Sequence, residues 1–175
     1  GPSPVSALIH AATMVTAGVY MMARCGPLFA NAPVCLEAII AVGTIGAVLA
    51  ATMAMAQYNM KRILAYSTMS QLAYMFVAVG VGAPDSGVFH LYTHAFFKAL
   101  LFLCAGSVMH SMGNIIDLRQ FSGLKRVLPQ TYRLMAVGCI ALAGVPLFAG
   151  FWSKDEIVHA AWEHSPALGM ILLAT

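Results

Sequence analysis

The chain has 175 residues, of which 61% are hydrophobic and 9% charged, with a formal net charge of +3. A soluble domain carries roughly 25% charged residues, so this chain cannot cover a water-facing surface and reads as an integral membrane protein embedded in a lipid bilayer. The small net charge argues against a nucleic-acid partner or a polybasic lipid anchor, and Cys25, Cys35, Cys104 and Cys139, spread singly, read as small apolar fillers.

A spanning helix needs about 20 apolar residues. The first candidate, about 4–23, holds His10 among small and hydroxylated residues (Ser6, Thr13, Thr16, Gly18) that let helices approach closely. Spans at about 34–56 and 63–82 follow, separated by a loop with Lys61 and Arg62. The fourth, about 87–110, carries His90, His94 and Lys98. These three are spaced i, i+4, i+8, which puts them in a line about 12 Å long on one helix face. A lysine near the middle of a span costs at least ~2.5–3.5 kcal/mol to insert, so Lys98 should face protein or water. Packing alone could hold each of the three groups, but their alignment favours a ladder of proton-exchanging side chains.

After a charged loop at 111–128 comes a span at about 129–147 that Gly144, Pro146 and Gly150 interrupt. Ser153-Lys154-Asp155-Glu156 then fits a capping box that restarts a half-helix at 154–163. The expected architecture is therefore all-α, a polytopic transmembrane bundle with one discontinuous helix broken near 144–153. Broken helices at mid-membrane commonly carry ion sites. Lys154 would sit at the positive end of the restarted helix, with Asp155 and Glu156 as candidate partners. Ser-Lys-Asp-Glu could instead cap an interfacial helix. A further span begins near Pro166 and stops within an apolar run, and the chain opens without an initiator Met, which suggests a piece of something longer. Alternating the loops places Lys61, Arg62, Arg119, Lys125, Arg126 and Arg133 on one side and Arg24 on the other, so the N-terminal end is expected on the cytoplasmic (or matrix, or stromal) side.

Four stretches, GPSPVSALIHAATMVTAGVY (Gly1–Tyr20), KRILAYSTMSQLAYMF (Lys61–Phe76), FHLYTHAFFKALLFLCAGSVMH (Phe89–His110) and GFWSKDEI (Gly150–Ile157), resemble the large antiporter-like membrane subunits, of subunit 5 or chain L type, of proton-pumping NADH:quinone oxidoreductase (respiratory complex I). Membrane-bound hydrogenases and multi-subunit cation/proton antiporters share much of the pattern. The resemblance implies an antiporter-like fold with two inverted five-helix repeats, of which this chain is similar to the second. It also implies a proton relay in which His10 matches the central histidine, His90, His94 and Lys98 the helix leading toward the exit, and Lys154 the lysine of the broken helix. A lysine–glutamate pair serving the family's other half-channel would lie upstream of Gly1. No cofactor is expected in this chain. NADH, FMN, iron–sulfur clusters and quinone would sit in partner subunits, and sister antiporter-like subunits would be its neighbours. The expected location is a bacterial or organellar inner membrane. Two departures are Asn59, where family members have Asp, and Ala73, where a glycine is common. The rival readings are a sodium/proton antiporter subunit or a membrane-bound hydrogenase, a haem cytochrome ligated by His10 with His90 or His94, and a structural scaffold.

Overall fold

The computed structural model describes residues 3–175; Gly1 and Pro2, which open the first motif and the expected cytoplasmic end, lie outside them. The helices are α1 (Ser3–Ala11), α2 (Ala17–Arg24), α3 (Gly26–Phe29), α4 (Pro33–Met55), α5 (Met60–Gly80), α6 (Pro84–Ser111), α7 (Leu124–Val127), α8 (Pro129–Ala143), α9 (Ala149–His164) and α10 (Pro166–Ala174). Three of them, α4, α5 and α6, are long and apolar enough to cross a membrane. Together with the apolar composition, they make this an all-α membrane protein.

Helix α6 is the hub. It packs against α1, α2, α5, α8 and α9, while α4 packs on the far side of α5. Small residues set the α4–α5 distance: a Cβ added at Gly43 would lie 2.8 Å from Val77 Cγ2, and one at Gly80 would lie 2.7 Å from Ile40. Ala73, the departure from glycine, fits beside Gly46, where an added Cβ would still keep 3.6 Å from the Ala73 methyl. The outer face of α4 leaves Val34, Val42, Ile45, Leu49 and Met53 exposed, a surface suited to hydrocarbon rather than water.

Two helices expected to run on are interrupted. The break after α8 was anticipated from Gly144 and Pro146. Gly144 takes the left-handed conformation (φ 76) at the end of α8. The amides of Gly144 and Val145 turn back to the carbonyls of Ala141 and Ile140, at 3.3 Å each, a Schellman arrangement. The other break, Ala12–Thr16, splits the expected 4–23 span into α1 and α2 and was not anticipated. No glycine or proline marks it. Thr13 Oγ1 donates to Leu8 O (2.9 Å), which also accepts from the amides of Ala12 and Thr13, and Thr16 Oγ1 lies 2.9 Å from Ala12 O and 3.2 Å from Thr13 O, so hydroxyls bond the carbonyls around the break.

The restart of the last broken helix also needs correcting. Helix α9 begins at Ala149, not near 154, so the break is shorter than 144–153. Ser153 is no cap: its hydroxyl lies 3.1 Å from Ala149 O, within the helix. Lys154 is therefore in the second turn, beyond the reach of the helix-end dipole assigned to it.

On the basic side, Met60 N donates to Ile116 O (3.0 Å) and Leu118 N to Tyr58 O (2.9 Å), which ties the 111–128 loop to the α4–α5 turn. Asn59, in place of the family's Asp, caps α5 by accepting from the Arg62 amide (3.2 Å).

Candidate functional site

The helical spacing of His90, His94 and Lys98 turns all three into the centre of the bundle, where each is 0% exposed. Lys98 Nζ donates to Ser67 Oγ on α5 at 2.7 Å. His90 lies between two elements: its Nε2 faces Gln71 Oε1 on α5 (3.0 Å) and its Nδ1 faces Ser153 Oγ on α9 (2.8 Å). Thr93 Oγ1 lies 2.9 Å from Ser153 Oγ and 3.1 Å from the His90 carbonyl.

His94 uses the unanticipated break. Its Nδ1 lies 3.3 Å from the carbonyl of Ala11, the last residue of α1. A carbonyl can only accept, so this contact places the proton on Nδ1. His94 Nε2 is then left as a buried acceptor, the one buried side-chain nitrogen or oxygen without a partner among the described residues. The His90 and His94 ring centroids are 6.2 Å apart, and Phe97 stands 6.2 Å from the first and 5.4 Å from the second.

His10 stands beside the Lys98 end of the row. It is half-buried and stacks on Phe102, one turn beyond Lys98, at 5.3 Å between ring centroids. No hydrogen bond links it to His90, His94 or Lys98. Lys154 is half-buried and donates to Leu142 O at 2.6 Å, a carbonyl freed where α8 ends. Asp155 and Glu156, expected as its partners, are exposed, and neither forms an ion pair with it among the described residues. Among the described residues the ion pairs are Arg119–Asp117 (2.6 Å) and His159–Glu163 (3.8 Å), both away from this line. Outside the spans, the hydrogen bond from Arg119 holds the Asp117 carboxyl below its usual range.

A cavity of about 660 Å³ lies between α4, α5, the α8–α9 break and α10. Ser67, Ser70, Gln71, Tyr74, Lys154 and Asp155 supply its polar wall. The acceptor for Lys98, the partner of His90 and Lys154 itself thus share one space, polar and wide enough for water to bridge them. The arrangement brings groups that can each hold a proton within reach of one cavity, and Asp155 is the one carboxylate among its lining residues. It does not suit His90 as a haem ligand, because both of its ring nitrogens are engaged.

Sequence reading missed Ser67, Gln71 and Thr93 and gave Ser153 the wrong task. The signal was present for two of them: Ser67 and Gln71 stand four apart on an apolar helix, the same spacing that marked His90, His94 and Lys98.

A family model described as NADH:quinone oxidoreductase/Mrp antiporter, transmembrane, matches residues 1–175. The chain is 49% identical to NAD(P)H-quinone oxidoreductase chain 5 of Synechocystis sp., over 100% of its own length and 27% of that protein's. It is 53% identical to NADH-ubiquinone oxidoreductase chain 5 of Arabidopsis thaliana, over 93% of its length and 24% of that protein's. The chain thus spans about a quarter of the length of these curated relatives. Among solved structures it resembles a chain of the membrane-bound sulfane sulfur reductase, an archaeal respiratory membrane complex (TM-score 0.86, 31% identity, 99% of this chain and 38% of that one). It also resembles a chain of the Mrp complex from Dietzia sp. (TM-score 0.89, 26% identity, 98% and 33%). By the match along its whole length, the chain belongs to the NADH:quinone oxidoreductase/Mrp antiporter transmembrane family.

Proposed function

We propose that this chain forms a proton half-channel in the membrane arm of a redox-driven quinone oxidoreductase. Protons pass along His10, the His90/His94/Lys98 line and Lys154, and the electron chemistry of NADH, FMN, iron–sulfur clusters and quinone takes place in partner subunits. The observation that carries this reading is the burial of His90, His94 and Lys98 in one row with no carboxylate paired to them, beside a cavity that also holds Lys154. A structural role gives no reason to bury several basic groups without counter-charges, because each costs free energy to desolvate. A relay needs groups able to gain and lose a proton, and water in the cavity to bridge the gaps between them.

The test uses inverted membrane vesicles carrying the full-length subunit in its assembled complex, wild type and Lys98→Ala. NADH oxidation and vesicle acidification are followed together. Loss of acidification, alone or with oxidation, is the expected outcome. Normal rates of both in an assembled complex would make Lys98 a packing residue and end the relay reading.

A second reading, a subunit of a cation/proton antiporter, is favoured by the likeness to the Mrp complex chain. Sodium-dependent exchange without any NADH-driven acidification in the wild type would select it.

A further inference from the structure

We propose that the hydroxyls of Ser153 and Thr93 form a two-position switch that ties the proton on His90 to the first turn of α9. This inference rests on the relay reading and deepens it by adding positioning residues and a link between α6 and the broken helix.

Ser153 and Thr93 have one hydroxyl hydrogen each, and the structure offers them more acceptors than they can serve at once. Ser153 Oγ lies 2.8 Å from His90 Nδ1, 2.9 Å from Thr93 Oγ1 and 3.1 Å from Ala149 O. Thr93 Oγ1 also lies 3.1 Å from the His90 carbonyl. His90 Nε2 faces Gln71 Oε1 and donates to it in either state. With His90 neutral, Nδ1 must accept. Ser153 then donates to Nδ1 and Thr93 donates to Ser153, while the Ala149 carbonyl goes without the serine. With His90 protonated, Nδ1 must donate. Its hydrogen goes to Ser153 Oγ, the Ser153 hydroxyl turns to Ala149 O, and the Thr93 hydroxyl turns to the His90 carbonyl. Every donor has an acceptor in both states. One N–H bond is formed on the imidazole, the two hydroxyls rotate, and no other covalent bond is made or broken.

The two positions act on different helices. Ala149 is the first residue of α9, so the protonated state adds a hydrogen bond to the turn that follows the break, and the neutral state removes it. Lys154 is the next residue along from Ser153, and it holds the end of α8 through Leu142 O. The charge on His90 therefore changes the local bonding at the base of the helix that carries Lys154, with no direct contact between the two side chains. The titratable groups around His90 are His94 and Lys98 on its own helix and Lys154 on α9. From α5, Gln71 faces it, while Tyr74 hydrogen-bonds the Leu172 carbonyl on α10.

The experiment compares Ser153→Ala, Thr93→Val, Thr93→Ser and Lys98→Ala in the full-length subunit within its assembled complex, in inverted vesicles. Ser153→Ala is expected to slow NADH-driven acidification about tenfold, the effect of one lost hydrogen bond in a rate-limiting proton step. Slowing should grow further in deuterium oxide. Thr93→Val should slow pumping severalfold, and Thr93→Ser, which restores the hydroxyl, should return it to the wild-type rate. Normal pumping by Ser153→Ala beside a failed Lys98→Ala would remove the switch and leave the relay standing. Normal pumping by both would remove the relay and the switch with it. If Ser153→Ala does not assemble, the threonine pair decides: equal rates for Thr93→Val and Thr93→Ser overturn the proposal.

Discussion

The two helix breaks both join helices packed on α6 and are built differently. The one between α8 and α9 is made by backbone chemistry: a left-handed Gly144, Pro146, and Leu147 at a positive φ of 80 that a branched side chain adopts only at a cost. The one between α1 and α2 is marked by side-chain chemistry, with Thr13 bonded to Leu8 O and Thr16 to the carbonyls of Ala12 and Thr13. Both end in the same service. Each frees a carbonyl that holds a basic side chain, Leu142 O for Lys154 and Ala11 O for His94. A membrane interior offers a buried cation few acceptors, because intact helices use their own carbonyls. Breaking a helix beside α6 is how this fold supplies them.

The largest expected effect sharpens the glycine-built side. A Cβ at Gly150 would lie 1.8 Å from Ala141 O, a backbone atom that cannot swing aside. Gly150→Ala should separate α9 from α8, destabilise the subunit by about 3 kcal/mol, and show as loss of assembled complex on native gels. Gly144→Ala meets no such clash, only the left-handed conformation, so a loss of about 1 kcal/mol is expected. A thermal midpoint unchanged by Gly144→Ala would mean that Pro146 alone makes the break.

On the hydroxyl-built side, Thr16→Val keeps the buried shape and removes the hydrogen bond to Ala12 O. It should cost about 1 kcal/mol and loosen the Ala11 carbonyl from His94, which amide hydrogen exchange at residues 12–16 can detect. Thr13→Val, at an exposed position, should do less. Equal effects would mean that the two threonines act as one unit.

The smallest effect lies outside both breaks. Because Arg119 depresses the Asp117 carboxyl, the pair's contribution is complete above an unfolded carboxyl's pKa of about 3.9 and is lost as acid takes the pH down through the folded value. Both groups are solvent-facing, so Arg119→Gln should leave the thermal midpoint at neutral pH unmoved.

These differences also explain what the sequence disclosed. Gly144 and Pro146 punctuate a hydrophobic run, so one break was readable. Thr13 and Thr16 are ordinary helix residues until their hydroxyls meet particular carbonyls, and no local pattern separates the two uses. The row of His90, His94 and Lys98 was legible because helical period alone aligns it. Its partners were not, because Gln71 and Ser153 become neighbours of His90 only when α5 and α9 pack against α6. Asp155 and Glu156 were misplaced for the same kind of reason. With α9 starting at Ala149, Lys154 finds its acceptor at the end of α8, and the two carboxylates stay exposed.

The gap between His90 and His94, with Phe97 beside both rings, gives the row the character of a capacitor more than a wire. No hydrogen bond joins the two rings, whose centroids are 6.2 Å apart, so a proton on one cannot hop to the other through protein groups alone. Their charges still interact across that gap, by roughly 3 kcal/mol at an effective dielectric of about 20. A charge placed on His94 is felt at His90 at once, whereas a proton could pass between the rings only through water. In such a pair the signal runs ahead of the cargo.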